Sequence, residues 1–466
     1  MGAGPAIQKG TGSSGRVFLL LLKSFIGTGM LDPRNDRSAS TQNILNLTHF
    51  PSPACPGVLF LSSAFRDGGF AFSVAMLLLL AILITVGMML LVWTSEVVPG
   101  SFEQIGDRLF GKPARWLVLA SVGISQFGFG CAYCLFVAKN ASELVRRVSN
   151  DAVLLGPWVF ILIQMGIYLP LVTVRRMENF AILSIMGNAF VLFGLGVVSV
   201  AAISHMVSAG GVAKDIVMLN ADRFPLFIGT SIYTFEGIGT LENLDFLFST
   251  RCLSAHAGRW SVGLVIPMKE ACKEPKKFGM ILCVAMVITT AIYVFVAAVG
   301  YLSWGAEVQT IVLFNLDQNA LSSTIYALYI WAIVFTFPIT VTPTMQCLDK
   351  VLFSSVLDID PDVKPVKPAS GMALWSPRKL FWIQNVSRWA VVVCIGMVAY
   401  FAADALDKLV SIVGSFGCVP LSFCYPAAFH LRAFPNQGLG WKLLDWAFIV
   451  VGFGAMLFVT IQTFRS

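Results

Sequence analysis

The stretch PLFIGTSIYTFEGIG, residues 225–239, decides how this chain folds. It is apolar enough to enter a bilayer, but its 15 residues form at most about 22 Å of helix, short of the ~30 Å hydrocarbon core. It ends at Glu236-Gly237-Ile238-Gly239, is followed by a polar stretch, and resumes briefly as apolar sequence at Leu264–Ala271. RVFLLLLKSFIGTG, residues 16–29, repeats the pattern: 14 residues, a Gly27-Thr28-Gly29 ending, a polar stretch, and an apolar return at Val58–Phe65. Joined across their gaps, the two pairs total 22 and 23 residues, and either total crosses a membrane. The sequence therefore predicts two interrupted transmembrane helices.

Around them lie nine uninterrupted spans: Phe70–Val97, Trp116–Val137, Pro157–Val174, Phe180–Met206, Phe278–Trp304, Leu321–Cys347, Phe381–Ala403, Leu409–His430 and Leu443–Phe464. Of the 466 residues 57% are apolar and only 12% charged, and the mean hydropathy is +0.78. Soluble domains carry about 25% charged residues, so the chain is an all-α polytopic membrane protein partnered by the lipid bilayer. The net charge of +7 does not point to nucleic acid, because the basic residues fall in short runs between apolar stretches. With a cytoplasmic N-terminus, 19 Lys and Arg lie on the cytoplasmic side and 8 opposite, the other five being Lys23 and the arginines at 34, 37, 251 and 259. That excess sets the expected orientation. Residues 1–15 are polar and Gly/Ser-rich, lack the apolar core of a removable signal, and read as a cytoplasmic tail.

The interrupted spans are the first and the sixth, so spans 1–5 and 6–10 form two equal halves, and an odd number per half inverts one against the other. Breaks at matching positions of inverted halves point to a carrier's binding site. Open backbone amides at Gly27, Thr28 and Gly29 suit a carboxylate, and open carbonyls suit an ammonium group, so an amino-acid zwitterion satisfies both. At the sixth-span break, Phe235, Glu236 and Gly237 complete the expected site. Glu236 is a candidate for proton acceptance or for contact with the substrate ammonium, or else caps open amides.

The motifs at 16–29 and 225–239, with IPMKEACKEPKKF at 266–278 and the weaker SFEQIGD at 101–107, resemble the amino acid/auxin permease family, in its vacuolar and proton-coupled branch. The resemblance implies eleven helices in a LeuT-type 5+5 inverted repeat plus one. It also implies alternating access, proton-coupled symport of small neutral amino acids, and a vacuolar, lysosomal or other endomembrane location. Some proton-coupled relatives carry a His where this chain has Leu20. The family pattern also runs without a gap through both breaks, so 30–57 and 240–263 look inserted. Irregular polar backbone cannot face lipid, so each insert would have to thread the cavity where substrate binds. Between lineage-specific loops and intron-derived sequence translated in frame, that constraint favours the second. The expected organisation is a first repeat at 16–206, a second at 225–430 with a cytoplasmic loop at 353–379, and a final helix within 441–466.

Other candidates carry two readings each. Tyr133, with Gln126 and Gly130 on the third span, lines the pocket or packs between helices. Thr336, beside Pro338 in TFPITVT at 336–342, coordinates Na⁺ as a coupling ion or satisfies backbone freed by the proline. Lys23 snorkels to the surface or takes part in coupling. The glycosylation sequon at Asn140 stands at the non-cytoplasmic end of its span. Cys131 and Cys134 match C-x-x-C inside an apolar helix and read as small hydrophobes. GDRLFGKP at 106–113 falls short of a P-loop at Pro113. No cofactor, metal cluster or catalytic constellation is expected, so the rival to a carrier is a transporter-like amino-acid sensor or an inactive isoform rather than an enzyme.

Overall fold

Every backbone group in hydrocarbon has to be bonded within its own segment, which leaves helices as the building unit for a chain of this composition. The computed structural model describes Phe18 and residues 57–174, 178–236, 277–353 and 377–465. These form α1 (Gly57–Gly68), α2 (Phe70–Val97), α3 (Phe102–Phe110), α4 (Lys112–Val148), α5 (Pro157–Leu171), α6 (Glu178–Ser208) and α7 (Phe224–Thr234). After them come α8 (Phe278–Trp304), α9 (Ala320–Phe353), α10 (Pro377–Phe401), α11 (Leu406–Ile412), α12 (Tyr425–Ala433) and α13 (Leu439–Arg465).

Among the described residues eight helical segments are long and apolar enough to cross a membrane, and α5 is a shorter apolar helix. α2 and α8 keep the bounds read from the sequence. The interrupted spans contribute α1 and α7, of 12 and 11 residues; their other halves, with most of 30–57, 240–263 and 353–379, lie outside the described residues.

α4 continues past Val137 to Val148 because its polar last turns are paired: Glu143 meets Arg146 at 2.7 Å and Arg147 at 2.6 Å. Arg147 also donates to the carbonyls of Leu316 and Phe314, at 2.8 and 3.2 Å. Asn140 is therefore mid-helix and fully buried, its amide donating to Phe136 O at 2.8 Å, which removes it as a glycosylation acceptor. The tenth span passes from α11 through two π-helical stretches, Val413–Cys418 and Pro420–Cys424, into α12. α9 runs unbroken through Pro338 and Pro343.

One end of the bundle gathers the α1–α2 junction, the 209–223 and 305–319 connections, and the start of α11. Phe70 N donates to Val217 O at 2.7 Å, and Arg66 donates to Val308 O at 2.7 Å. Asp67, beyond the apolar part of α1, is buried and lies 3.3 Å from Arg66 and 3.5 Å from Arg223, which in turn reaches Asp407 at 3.3 Å. Burial pushes the Asp67 carboxyl up from its ordinary value, against the pull of Arg66 and Arg223. Arg66 and Arg223 thus meet around Asp67 at one end of the molecule.

α1 and α7 lie side by side at the centre, and α1 is buried at all but one position. α7 presses on the tenth span with no side chain between: a Cβ on Gly414 would stand 1.9 Å from Gly229 O, and one on Gly229 2.2 Å from Ser411 Oγ. Small residues are what let helix backbones approach in a membrane protein. Gly414→Ala should therefore cost about 1–3 kcal/mol by overpacking. Gly196→Ala, where nothing lies within 4 Å, should be neutral. Thermal unfolding in one detergent checks the pair, and equal melting temperatures would contradict this packing.

Candidate functional site

Where a helix stops inside a membrane protein, its last carbonyls and first amides need partners from elsewhere. The structure supplies one of them, for the last carbonyl of α7, and ties the two half-helices together beside it. Thr234, the last residue of α7, donates its hydroxyl to Gly57 O at 3.2 Å and to Thr230 O at 2.8 Å, so the end of α7 meets the first residue of α1. The carbonyl of Thr234 accepts from the Tyr293 hydroxyl of α8 at 3.3 Å. Phe235 and Glu236 follow at once, 1% and 6% exposed.

An aromatic group encloses this junction. Tyr233 lies 4.4 Å from Phe129 of α4 and 6.3 Å from Phe60 of α1, between ring centroids. Phe60 is 6.0 Å from Phe136, and Phe235 is 5.2 Å from Tyr293. Rings at these separations pack edge to face or tilted and hold two half-helices and two long helices around the break.

α4 supplies the opposite wall. At about 100° per residue, Tyr133 and Gln126 sit roughly 40° and 60° round the helix from Phe129, which faces α7. Gly130 lies further round, and a Cβ there would stand 2.7 Å from Val341 of α9 and 3.0 Å from Ile395 of α10. Gly130 is thus a packing residue, while Tyr133 and Gln126 occupy the arc between the α7 and α9 faces. Tyr133 is 2% exposed. Gln126 is fully buried, and neither its amide nitrogen nor its oxygen has a hydrogen-bond partner among the described residues.

Of the expected site residues, Tyr133, Phe235 and Glu236 are buried; Gly27, Thr28, Gly29 and Gly237 lie outside the described residues, as does Lys23. Thr336 is buried on α9 with its hydroxyl donating to Ala332 O at 3.0 Å and Ile333 O at 3.2 Å. Thr340 and Thr342 donate to the carbonyls of Thr336 and Pro338, at 3.3 and 2.6 Å. Each of these is a bond to a carbonyl three or four residues earlier on the same helix. Cys131 and Cys134 are buried free thiols. Sequence reasoning missed Thr234, Tyr233 and Tyr293. The first two stand in the quoted motif, where a hydroxyl at a helix end is signal enough; Tyr293 is one aromatic among many on an apolar span.

The unpaired Gln126 amide is costly, since each buried polar atom without a partner loses about 1–3 kcal/mol. Gln126→Leu should raise the melting temperature and, at the same time, weaken stabilisation by a bound amino acid. A variant melting no higher than the original chain, with ligand stabilisation unchanged, would show that the amide is matched in solution.

Comparisons with known proteins place this geometry in context. The family model described as "Transmembrane amino acid transporter protein" matches residues 40–246 and 261–465. Vacuolar amino acid transporter 4 of Saccharomyces cerevisiae is 32% identical over 474 residues, covering 98% of this chain and 58% of that protein. Vacuolar amino acid transporter 3 of Schizosaccharomyces pombe is 30% identical over 455 residues, covering 98% and 58%. Amino acid transporter AVT3A of Arabidopsis thaliana is 28% identical over 425 residues, covering 88% and 85%. The chain therefore spans a little over half the length of the two yeast proteins. In fold it is similar to Mhp1, a nucleobase-cation-symport-1 family transporter. The TM-score is 0.55 to the inward-facing form, over 98% of this chain and 91% of that one, and 0.50 to a closed form, over 99% and 95%; identity is 11% in both cases.

Proposed function

Because the chain belongs to the transmembrane amino acid transporter protein family, we propose that it is a secondary active carrier moving small neutral amino acids across a vacuolar-type endomembrane by alternating access, coupled to protons. The observation that carries this reading is the meeting of α1 and α7 at the Thr234–Gly57 bond, with Glu236 buried beside it. Two half-helix ends of opposite polarity that meet offer fixed dipoles of both signs, which match the two charges of a zwitterion without a counter-ion.

Each residue has a distinct task in this reading. The amides at Gly27–Gly29 receive the substrate carboxylate. Glu236, with Gly237 leaving the chain open beyond it, takes the ammonium group or the coupling proton. Tyr133 and Phe235 close the space from α4 and α7, and Gln126 presents an amide to the substrate side chain. Thr336, committed to the α9 backbone, is a weaker candidate for ion contact than Glu236. The N-terminus lies on the cytosolic side, following the excess of basic residues on that side.

The test is uptake of labelled amino acids into proteoliposomes, with and without a pH gradient. Glu236→Gln keeps the shape of the side chain and loses its charge. It should reduce net uptake to background while the protein still inserts and melts as before. Uptake at the original rate would remove Glu236 from the site. Ligand binding without uptake, in the original chain, would favour the sensor reading.

The inserts give a separate expectation. Deleting 30–57 joins Gly29 to Val58, so a glycine again precedes α1 and the Thr234 hydroxyl keeps a backbone acceptor. Deleting 240–263 likewise joins Gly239 to Leu264. The doubly deleted chain should transport at least as well as the full one, and transcripts from the source should include a form lacking both segments. An inactive double deletion, with every transcript spanning both segments, would make them genuine loops.

A further inference from the structure

At the end of the bundle away from the Asp67 cluster, α2, α12 and α13 border an open pocket of about 240 Å³ lined by Trp93, His430, Phe434, Gln437 and Trp441. Its walls are aromatic. The rings of Trp93 and Trp441 stand perpendicular with centroids 5.5 Å apart, each 6.1 Å from His430, and Phe434 lies 4.8 Å from the same imidazole. Behind His430 is a carboxylate with no solvent contact: Asp445 is 0% exposed. His430 Nδ1 lies 2.9 Å from Asp445 Oδ2 and 3.1 Å from Oδ1, and Gln437 Nε2 donates to Oδ2 at 2.7 Å.

This arrangement assigns the imidazole protons. A carboxylate accepts only, so Nδ1 carries the hydrogen directed at Asp445, and in the neutral ring Nε2 is left as an acceptor. Nε2 has no hydrogen-bond partner among the described residues. In that neutral form the Asp445 carboxylate stands behind an acceptor on a residue that lines the aromatic-walled pocket. The ligand chemistry that fits is a cation that also donates: indole faces attract cations, and an N–H of an ammonium group completes the acceptor. An anion would meet the Asp445 charge, and a neutral apolar group would leave Nε2 unmatched.

We propose that the Trp93–His430–Trp441 cavity is a binding site for a primary ammonium group, distinct from the α1/α7 centre. The group arrives either on an ethanolamine phospholipid headgroup or on a small amine from the aqueous side. Lys442 and Arg432 stand in the sequence on either side of the turn that forms the cavity, where they suit the phosphate of a headgroup. Occupation would pin the end of α2 to the turn between α12 and α13. That turn comes after the tenth span, whose other part, at Gly414, touches α7. The site does not depend on the transport reading.

The experiment uses the full chain carrying fluorinated tryptophan, observed by ¹⁹F NMR. The resonances of Trp93 and Trp441 are identified by their loss in Trp93→Phe and Trp441→Phe. Ethanolammonium chloride added in detergent should shift both resonances saturably, against a sodium chloride control. In nanodiscs, replacing part of the phosphatidylcholine with phosphatidylethanolamine should shift the same two resonances if the lipid is the source. An unchanged spectrum in the lipid arm, with the detergent shift retained, identifies a soluble amine. His430→Phe keeps an aromatic ring without the acceptor and should weaken ethanolammonium binding at least tenfold, with both resonances still sharp. Asp445→Asn should do the same, and either variant suffices if the other does not fold. The proposal is overturned if neither ethanolammonium nor the lipid moves these resonances. It is also overturned if tetramethylammonium, which has no N–H to donate, binds as tightly as ethanolammonium.

Discussion

A helix that ends in the middle of a bilayer leaves carbonyls and amides that lipid cannot satisfy, and the arrangement of this protein is set by where those groups are placed. α1 and α7 are too short to cross and therefore cannot stand at the periphery. They occupy the centre, where Thr234 bonds to Gly57 and Tyr293 covers the last carbonyl of α7. The long helices around them carry the lipid contact: α13, α6 and α10 present many exposed large apolar side chains, whereas α1 presents almost none. Burial of apolar surface does not distinguish inside from outside in hydrocarbon, so the sorting is done by the polar backbone.

The same constraint explains the contact between α7 and the tenth span. Two backbones that approach at Gly229 and Gly414 exclude both lipid and water from the half-helix, and no larger residue fits at either position. The π-helical turns at Val413–Cys418 lie at this contact. A π turn widens the helix locally and turns the next residues to new directions. Ser411 and Ser415 on the same stretch bond to Thr463 and Thr460 of α13 at 3.1 and 3.0 Å. The tenth span thus joins the central pair to the outermost helix. A change in its wide turns would be felt at the centre and at α13 together.

What the sequence makes legible divides along the same physical line. α2 and α8 are legible to the residue because no polar group interrupts them, and the breaks are legible because glycine clusters and truncated apolar length are local signals. The last turns of α4 are hidden because Arg147, besides pairing with Glu143, donates to carbonyls of the 305–319 connection, a partner about 170 residues away. The facing of α4 is hidden too: Gln126, Gly130 and Tyr133 share a helix, and only the neighbours show that Gly130 packs on α9 while Gln126 is left without a partner among the described residues. His430 and Asp445, 15 residues apart on successive helices, look like two unrelated polar residues until the turn between them is folded.

The described ends of the two half-helices bear on the proposal that 30–57 and 240–263 are insertions. α1 is buried from its first residue, Gly57, whose carbonyl is already bonded to Thr234. Glu236, the last described residue of the sixth-span half, is buried too. Both described half-helix ends therefore stand at the centre of the bundle. An insertion in a surface loop costs little, because closure entropy grows slowly with length. An insertion anchored on both sides of a half-helix junction has no such freedom. If 30–57 and 240–263 are insertions, the proposed carrier is easier to reconcile with the chain lacking both stretches than with the chain retaining them.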